Sequence, residues 1–240
     1  SFVLGRTMRT HAHRANIRVN TNIADVRVQY CLTGLTSGVG FRERGGRKMT
    51  IELKVSLDDI EPEIWRRVAV PAAYTLTELH AVIQGAMGWQ DSHLHMFEFG
   101  DQRYEIPEDD ELGPEPGVLD ERAYKLGKLV SKGDTFHYVY DFGDDWRHTV
   151  LVEDLRTGEG GPLAICLDGA RACPPEDCGG PYGYPEFLDA LVDPKHPDHH
   201  DTVEWARGFQ PEAFSISQAN SLIAAVCAIY RERGLGFEGA

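Results

Sequence analysis

From Met49 the chain alternates polar and apolar side chains, Thr50-Ile51-Glu52-Leu53-Lys54-Val55-Ser56-Leu57, and a period of two marks a strand with one buried face. A turn over residues 58–62 leads to a second such run, Ile64-Trp65-Arg66-Arg67-Val68-Ala69-Val70-Pro71, so the two are expected to pair antiparallel. The period then becomes helical. Thr75, with Glu78 three residues on, has the form of a capping box, and Leu76, Leu79, Val82, Ile83 and Ala86 share one face of a helix that runs to Met87 and stops at Gly88. Residues 94–99 and 102–106 read as a hairpin about Gly100-Asp101, and residues 107–117 as an acidic, solvated loop. Residues 124–130 read as a short helical or turn element. Residues 135–140 and 148–155 read as two strands flanking the turn Asp141-Phe142-Gly143-Asp144-Asp145-Trp146-Arg147.

This order, ββαββ and then ββ, predicts an α+β fold: a mixed, mostly antiparallel sheet with one packed helix, in the manner of a β-grasp. Beyond Gly158 the chain reads as loop-rich and then helical. Short helices are expected at 184–191 and 202–207. A longer one at 217–233 carries Ala219, Leu222, Ile223, Val226, Ile229 and Tyr230 at helical spacing. The expected domain spans residues 49–220, with 221–240 as the helix end and tail.

Residues 1–48 have a different character. They lack a sustained period, and nine Lys or Arg stand there against Asp25 and Glu43, a net +7; with −14 for the whole chain, the remainder carries −21. The segment is expected to lie outside the fold. It reads as a basic arm for nucleic acid or an acidic partner or, more simply, as sequence translated upstream of a start at Met49. A −21 surface without a basic stripe repels a phosphate backbone, so nucleic acid is not expected as a partner of residues 49–240. No run approaches the roughly 18 apolar residues of a membrane span, and nothing resembles a secretion signal. Five cysteines in a chain of 240 residues suggest reduced thiols or metal ligands rather than a disulfide scaffold. A cytoplasmic protein is the resulting expectation.

Three stretches hold the chemistry. His93-Leu94-His95 places two imidazoles on one face of an extended segment, suited to a metal or to hydrogen-bonded structural histidines. The turn from Asp141 to Arg147, followed by His148, concentrates three carboxylates, an indole, a guanidinium and an imidazole. Asp144 and Asp145 can hold a hard cation, or one can orient His148 as a general base, so Asp144, Asp145 and His148 are the catalytic candidates; an Asp-rich turn bonding its own backbone is the alternative. Cys166, Cys173 and Cys178 can supply most of a zinc site with a histidine, His93, His95 or His148, as fourth ligand. The alternative there is buried free thiols in a Pro-pinned loop. The phosphate-loop, nucleophile-elbow and zincin motifs are absent.

Several stretches taken together resemble the plasmid pRiA4b ORF-3-like family. They are Ile64-Trp65-Arg66-Arg67-Val68, Ala86-Met87-Gly88-Trp89, Ser92-His93-Leu94-His95, Tyr140-Asp141-Phe142-Gly143-Asp144-Asp145-Trp146 and Cys173-Pro174-Pro175-Glu176-Asp177, and the resemblance spans about residues 50–220. It implies an association with plasmids or mobile elements and no assigned biochemistry. Some members carry a resolvase label, but the nucleophilic serine domain and basic DNA-reading helices that label asks for are not apparent. Cys178 stands where an apolar residue is as frequent. Two functions follow. One is a binding module for a protein, peptide or small molecule, its groove rimmed by Trp89, His93, His95, Asp141, Asp144, Asp145, Trp146 and His148. The other is a zinc-dependent enzyme, most simply a hydrolase.

Overall fold

The computed structural model describes residues 48–107, 116–158 and 163–237. The first two strands form as the alternation requires. In β1 (Lys48–Leu57) Ile51, Leu53, Val55 and Leu57 are buried, and the strand pairs antiparallel with β2 (Trp65–Pro71), Leu53 opposite Val68. On its other side β1 pairs with β7 (Trp146–Gly158), which pairs in turn with β6 (Thr135–Tyr140). The hairpin β3 (His95–Phe99) and β4 (Gln102–Glu105) joins at β6.

Two strands extend the sheet beyond the expected set. β5 (Val118–Asp120) adds parallel to β4, and β8 (Ile165–Ala170) adds antiparallel to β2. The sheet therefore has eight strands in the order β5-β4-β3-β6-β7-β1-β2-β8, mixed and mostly antiparallel, and the expected β-grasp-like order does not describe it.

Helix α1 (Leu76–Met87) starts and stops where its local chemistry dictates. Thr75 accepts from the Glu78 N–H while Glu78 accepts from the Thr75 N–H, and Gly88 closes the helix in the left-handed region at φ 93°. The single apolar face expected of α1 is only half of the picture, because all twelve of its residues are buried. One side meets the sheet, where the His80 ring bonds the Tyr138 hydroxyl of β6. Another meets α4 (Ile216–Glu232). The helices approach so closely at Gly85 that a Cβ there would lie 2.6 Å from Ile223 Cα. So two helices, not one, cover the sheet. The fold also continues past residue 220, since Tyr230 and Phe237 are core residues and the Phe237 N–H bonds Glu78.

Buried Arg66 ties the layers together. Its guanidinium donates to the carbonyls of Ala86 at the end of α1, Trp65 in β2, Ala170 in β8 and Arg171 beyond it. At the β8 edge the Asn220 side-chain amide from α4 makes both main-chain bonds of Cys166, accepting from its N–H at 2.7 Å and donating to its carbonyl at 2.9 Å. Helices α2 (Gly180–Val192) and α3 (His199–Ala206) complete the described chain.

Apart from Lys48, the expected N-terminal arm lies outside the described residues, as does most of the acidic loop, residues 108–115. Among the described residues no helix is long and apolar enough to cross a membrane.

Candidate functional site

The residues expected to rim a groove divide into two groups. Trp89, His95, Trp146 and His148 are buried: the pleat of β3 and β7 turns His95, Trp146 and His148 inward, and Trp89 follows the Gly88 cap of α1 into the core. They are interior groups, not a rim. Trp89 stacks on Tyr140 with ring centroids 4.9 Å apart and donates from Nε1 to the Pro174 carbonyl. His148 is wholly enclosed, and its Nδ1 meets the Tyr138 carbonyl at 3.1 Å. Burial pushes its pKa down to about 4.

His95 belongs to a polar cluster inside the core. Its ring lies flat on that of His80, centroids 3.4 Å apart and planes 6° from parallel, and its Nε2 meets the fully buried Glu121 at 3.0 Å. His80 has a defined tautomer from its neighbours. Nε2–H donates to Asp91 at 2.9 Å, and Nδ1 accepts from Tyr138, whose hydroxyl accepts in turn from Gln84. Burial, aided by the neighbouring His95, lowers the His80 pKa to about 4. Burial works to raise the Asp91 pKa, but hydrogen bonds from His80 and Tyr230 outweigh it and hold the carboxyl below its usual value. These bonds join α1, β3, β6 and the short turn at Glu121 inside the core, so the cluster reads as scaffold.

The second group meets at the surface. Asp141 follows β6 with φ 59°; its Oδ1 accepts from the Gly143 and Asp144 N–H groups. Such an Asx turn suits the left-handed backbone that aspartate tolerates. Its Oδ2 lies 3.5 Å from His93 Nδ1, and His93 Nε2 lies 3.4 Å from Asp177 Oδ1. That Nε2 is covered from solvent yet has no hydrogen bond, while the Asp177 side chain is 74% exposed. One donor atom from each of His93, Asp141 and Asp177 lies within 4.8 Å of the others, the one such grouping of three among the described residues. Asp144 accepts from the Gly179 N–H, and Asp145 is exposed on the same turn.

The cysteines do not join. Cys166 is buried in β8 with its thiol on the Asp168 carbonyl. Cys173 is buried, and Cys178 is half-buried just before the Gly179 N-cap of α2. Burial raises all three thiol pKa values, that of Cys178 to about 12, the reverse of what an activated thiol needs. The expected grouping of Cys166, Cys173 and Cys178 with His93, His95 or His148 is thus not assembled. Strand pairing sends Cys166 toward α4, and the two other imidazoles are engaged inside the core.

A sequence profile of the plasmid pRiA4b ORF-3-like proteins matches residues 49–218. The chain belongs to this family. Within it, the chain is similar to the uncharacterized protein y4hQ of Sinorhizobium fredii, 41% identical over 177 residues covering 72% of this chain and 90% of that protein. It is also similar to a crystal structure of MM3350, a protein of unknown function from Methanosarcina mazei Go1. There the TM-score is 0.64 and the identity 36%, over 72% of this chain and 98% of the other. No biochemical activity comes to the family from these relatives. His93, Asp141 and Asp177 all fall inside the matched span.

Proposed function

We propose that the protein binds a divalent transition-metal ion through His93, Asp141 and Asp177 and uses it as a Lewis acid in hydrolysis. The observation that carries this reading is the approach of three donor atoms to within 4.8 Å of one another. First-row metals bind N and O donors at about 2.0–2.2 Å, so an inward shift of about 1 Å completes the triad. The exposed Asp177 side chain has room to make it. One imidazole with two carboxylates suits Zn²⁺, Mn²⁺ or Fe²⁺ and neutralises the ion's charge. Three protein ligands leave positions for water and substrate. The covered, unbonded His93 Nε2 gains a partner. Asp145, an exposed carboxylate on the same turn as Asp141, would be the candidate general base for a water on such an ion.

The test is metal binding by chelator-stripped protein, followed calorimetrically with Zn²⁺ and Mn²⁺. One ion should bind per chain, and His93→Ala or Asp177→Asn should weaken binding at least about tenfold. Cys166→Ser and Cys178→Ser should leave it unchanged. Ester or amide turnover should need the ion. Stoichiometric binding that survives His93→Ala would sink the assignment.

A second reading, a binding module without chemistry, is favoured by Leu94 and Phe142. These two large exposed side chains adjoin His93 and Asp141 in sequence and suit a ligand with an apolar part. Metal-dependent ligand retention without turnover would select it.

A further inference from the structure

We infer that Glu176 is the positioning residue of the metal site, an inference that rests on the metal reading above. The three ligands come from three separate loops: His93 from the α1–β3 connection, Asp141 from the turn after β6, and Asp177 from the segment between β8 and α2. Ligands on separate loops form a site only if something fixes the loops to one another.

Glu176 immediately precedes Asp177. Its Oε1 accepts from the Tyr140 hydroxyl at 2.7 Å and from the Gln90 N–H at 2.8 Å. Tyr140 is the last residue of β6, directly before Asp141, and Gln90 lies three residues before His93. One carboxylate oxygen therefore joins all three ligand-bearing segments. The Tyr140 hydroxyl extends the joint by accepting from the Ser92 N–H at 2.9 Å, and its ring meets that of His93 edge-on, 5.8 Å between centroids. The Trp89 bond to Pro174 fastens the same two segments from a second side. Groups that orient metal ligands in this way typically change affinity by about 10–100-fold when removed.

The experiment titrates Co²⁺ into chelator-stripped full-length protein and reads its visible absorption bands. Glu176→Ala should weaken Co²⁺ binding by about 10–100-fold. Glu176→Gln keeps an oxygen acceptor for both donors and should stay within about threefold of the parent. Tyr140→Phe cuts the joint from the other side and should weaken binding as well. A merely structural role would lower the melting temperature of the metal-free protein and leave the Co²⁺ affinity alone. If the parent binds Co²⁺ through His93 while Glu176→Ala and Tyr140→Phe bind it as tightly, the inference is overturned and the metal reading stands. If the parent does not bind Co²⁺, or binds it independently of His93, both fall. Should Glu176→Ala fail to fold, Tyr140→Phe decides alone.

Discussion

Two imidazoles sealed in the core make the fold sensitive to mild acid. His80 and His148 both have pKa values near 4 in the folded protein, chiefly because burial disfavours their charged forms. In the unfolded chain each titrates near its ordinary 6.5. A depressed folded pKa means that the unfolded state takes up protons first as pH falls. The stabilisation is therefore complete above 6.5 and is lost between 6.5 and 4. Over that interval each ring costs about 3 kcal/mol, so the pair removes about 6 kcal/mol of the 5–15 kcal/mol typical of a domain. The carboxyls held below their usual range, Asp91, Glu63 and Glu153, act in the same direction but at lower pH, below their unfolded values near 4. The upper window belongs to the histidines. Urea unfolding at half-unit steps from pH 7 to 4, with chelator present, should show stability falling with a slope that approaches two protons. A flat profile from 6.5 to 4.5 would refute the assignment of neutral buried rings.

Two further outcomes follow from the same interior. Gly85→Ala gains about 1 kcal/mol of helix propensity but drives a methyl against Ile223 Cα and N at 2.6 and 2.7 Å. Overpacking should win by about 1–3 kcal/mol in thermal unfolding, and a variant as stable as the parent would contradict the close crossing of α1 and α4. Tyr138→Phe strips His80 Nδ1 of its donor and Gln84 of its acceptor. It should cost about 2–5 kcal/mol in urea, against no loss at all if the hydroxyl is a bystander.

What was legible in the sequence was what neighbours along the chain decide. The capping box at Thr75, the stop at Gly88 and the alternation of β1 and β2 are local hydrogen-bond and pleat chemistry, and they form as expected. β8 was illegible because Leu167-Asp168-Gly169-Ala170 has the composition of a turn. It becomes a strand only through the open flank of β2 and the Asn220 amide. His80 and Gln84 share the face of α1 that reads as solvated. Their burial depends on the sheet, where both side chains bond the Tyr138 hydroxyl of β6, and nothing in the local pattern of α1 announces a polar partner that far along the chain. Of the surface triad, His93 and Asp141 stood out by motif density. Asp177 was visible only as the end of the Cys173-Pro174-Pro175-Glu176-Asp177 stretch, and nothing in that stretch marks its carboxylate as a partner of His93. Only the meeting of three loops does.

A sheet that does not close into a barrel has two ends, and each is a template on which a further strand from any molecule can grow. At the β8 end that growth is halted by a single side chain. The Asn220 amide offers Cys166 the acceptor and the donor that the next strand would have brought, and so stands in for one residue of it. At the other end β5 is only three residues long, too short to seed a stable ladder. Protection against edge-to-edge pairing is thus built into the two ends of the sheet.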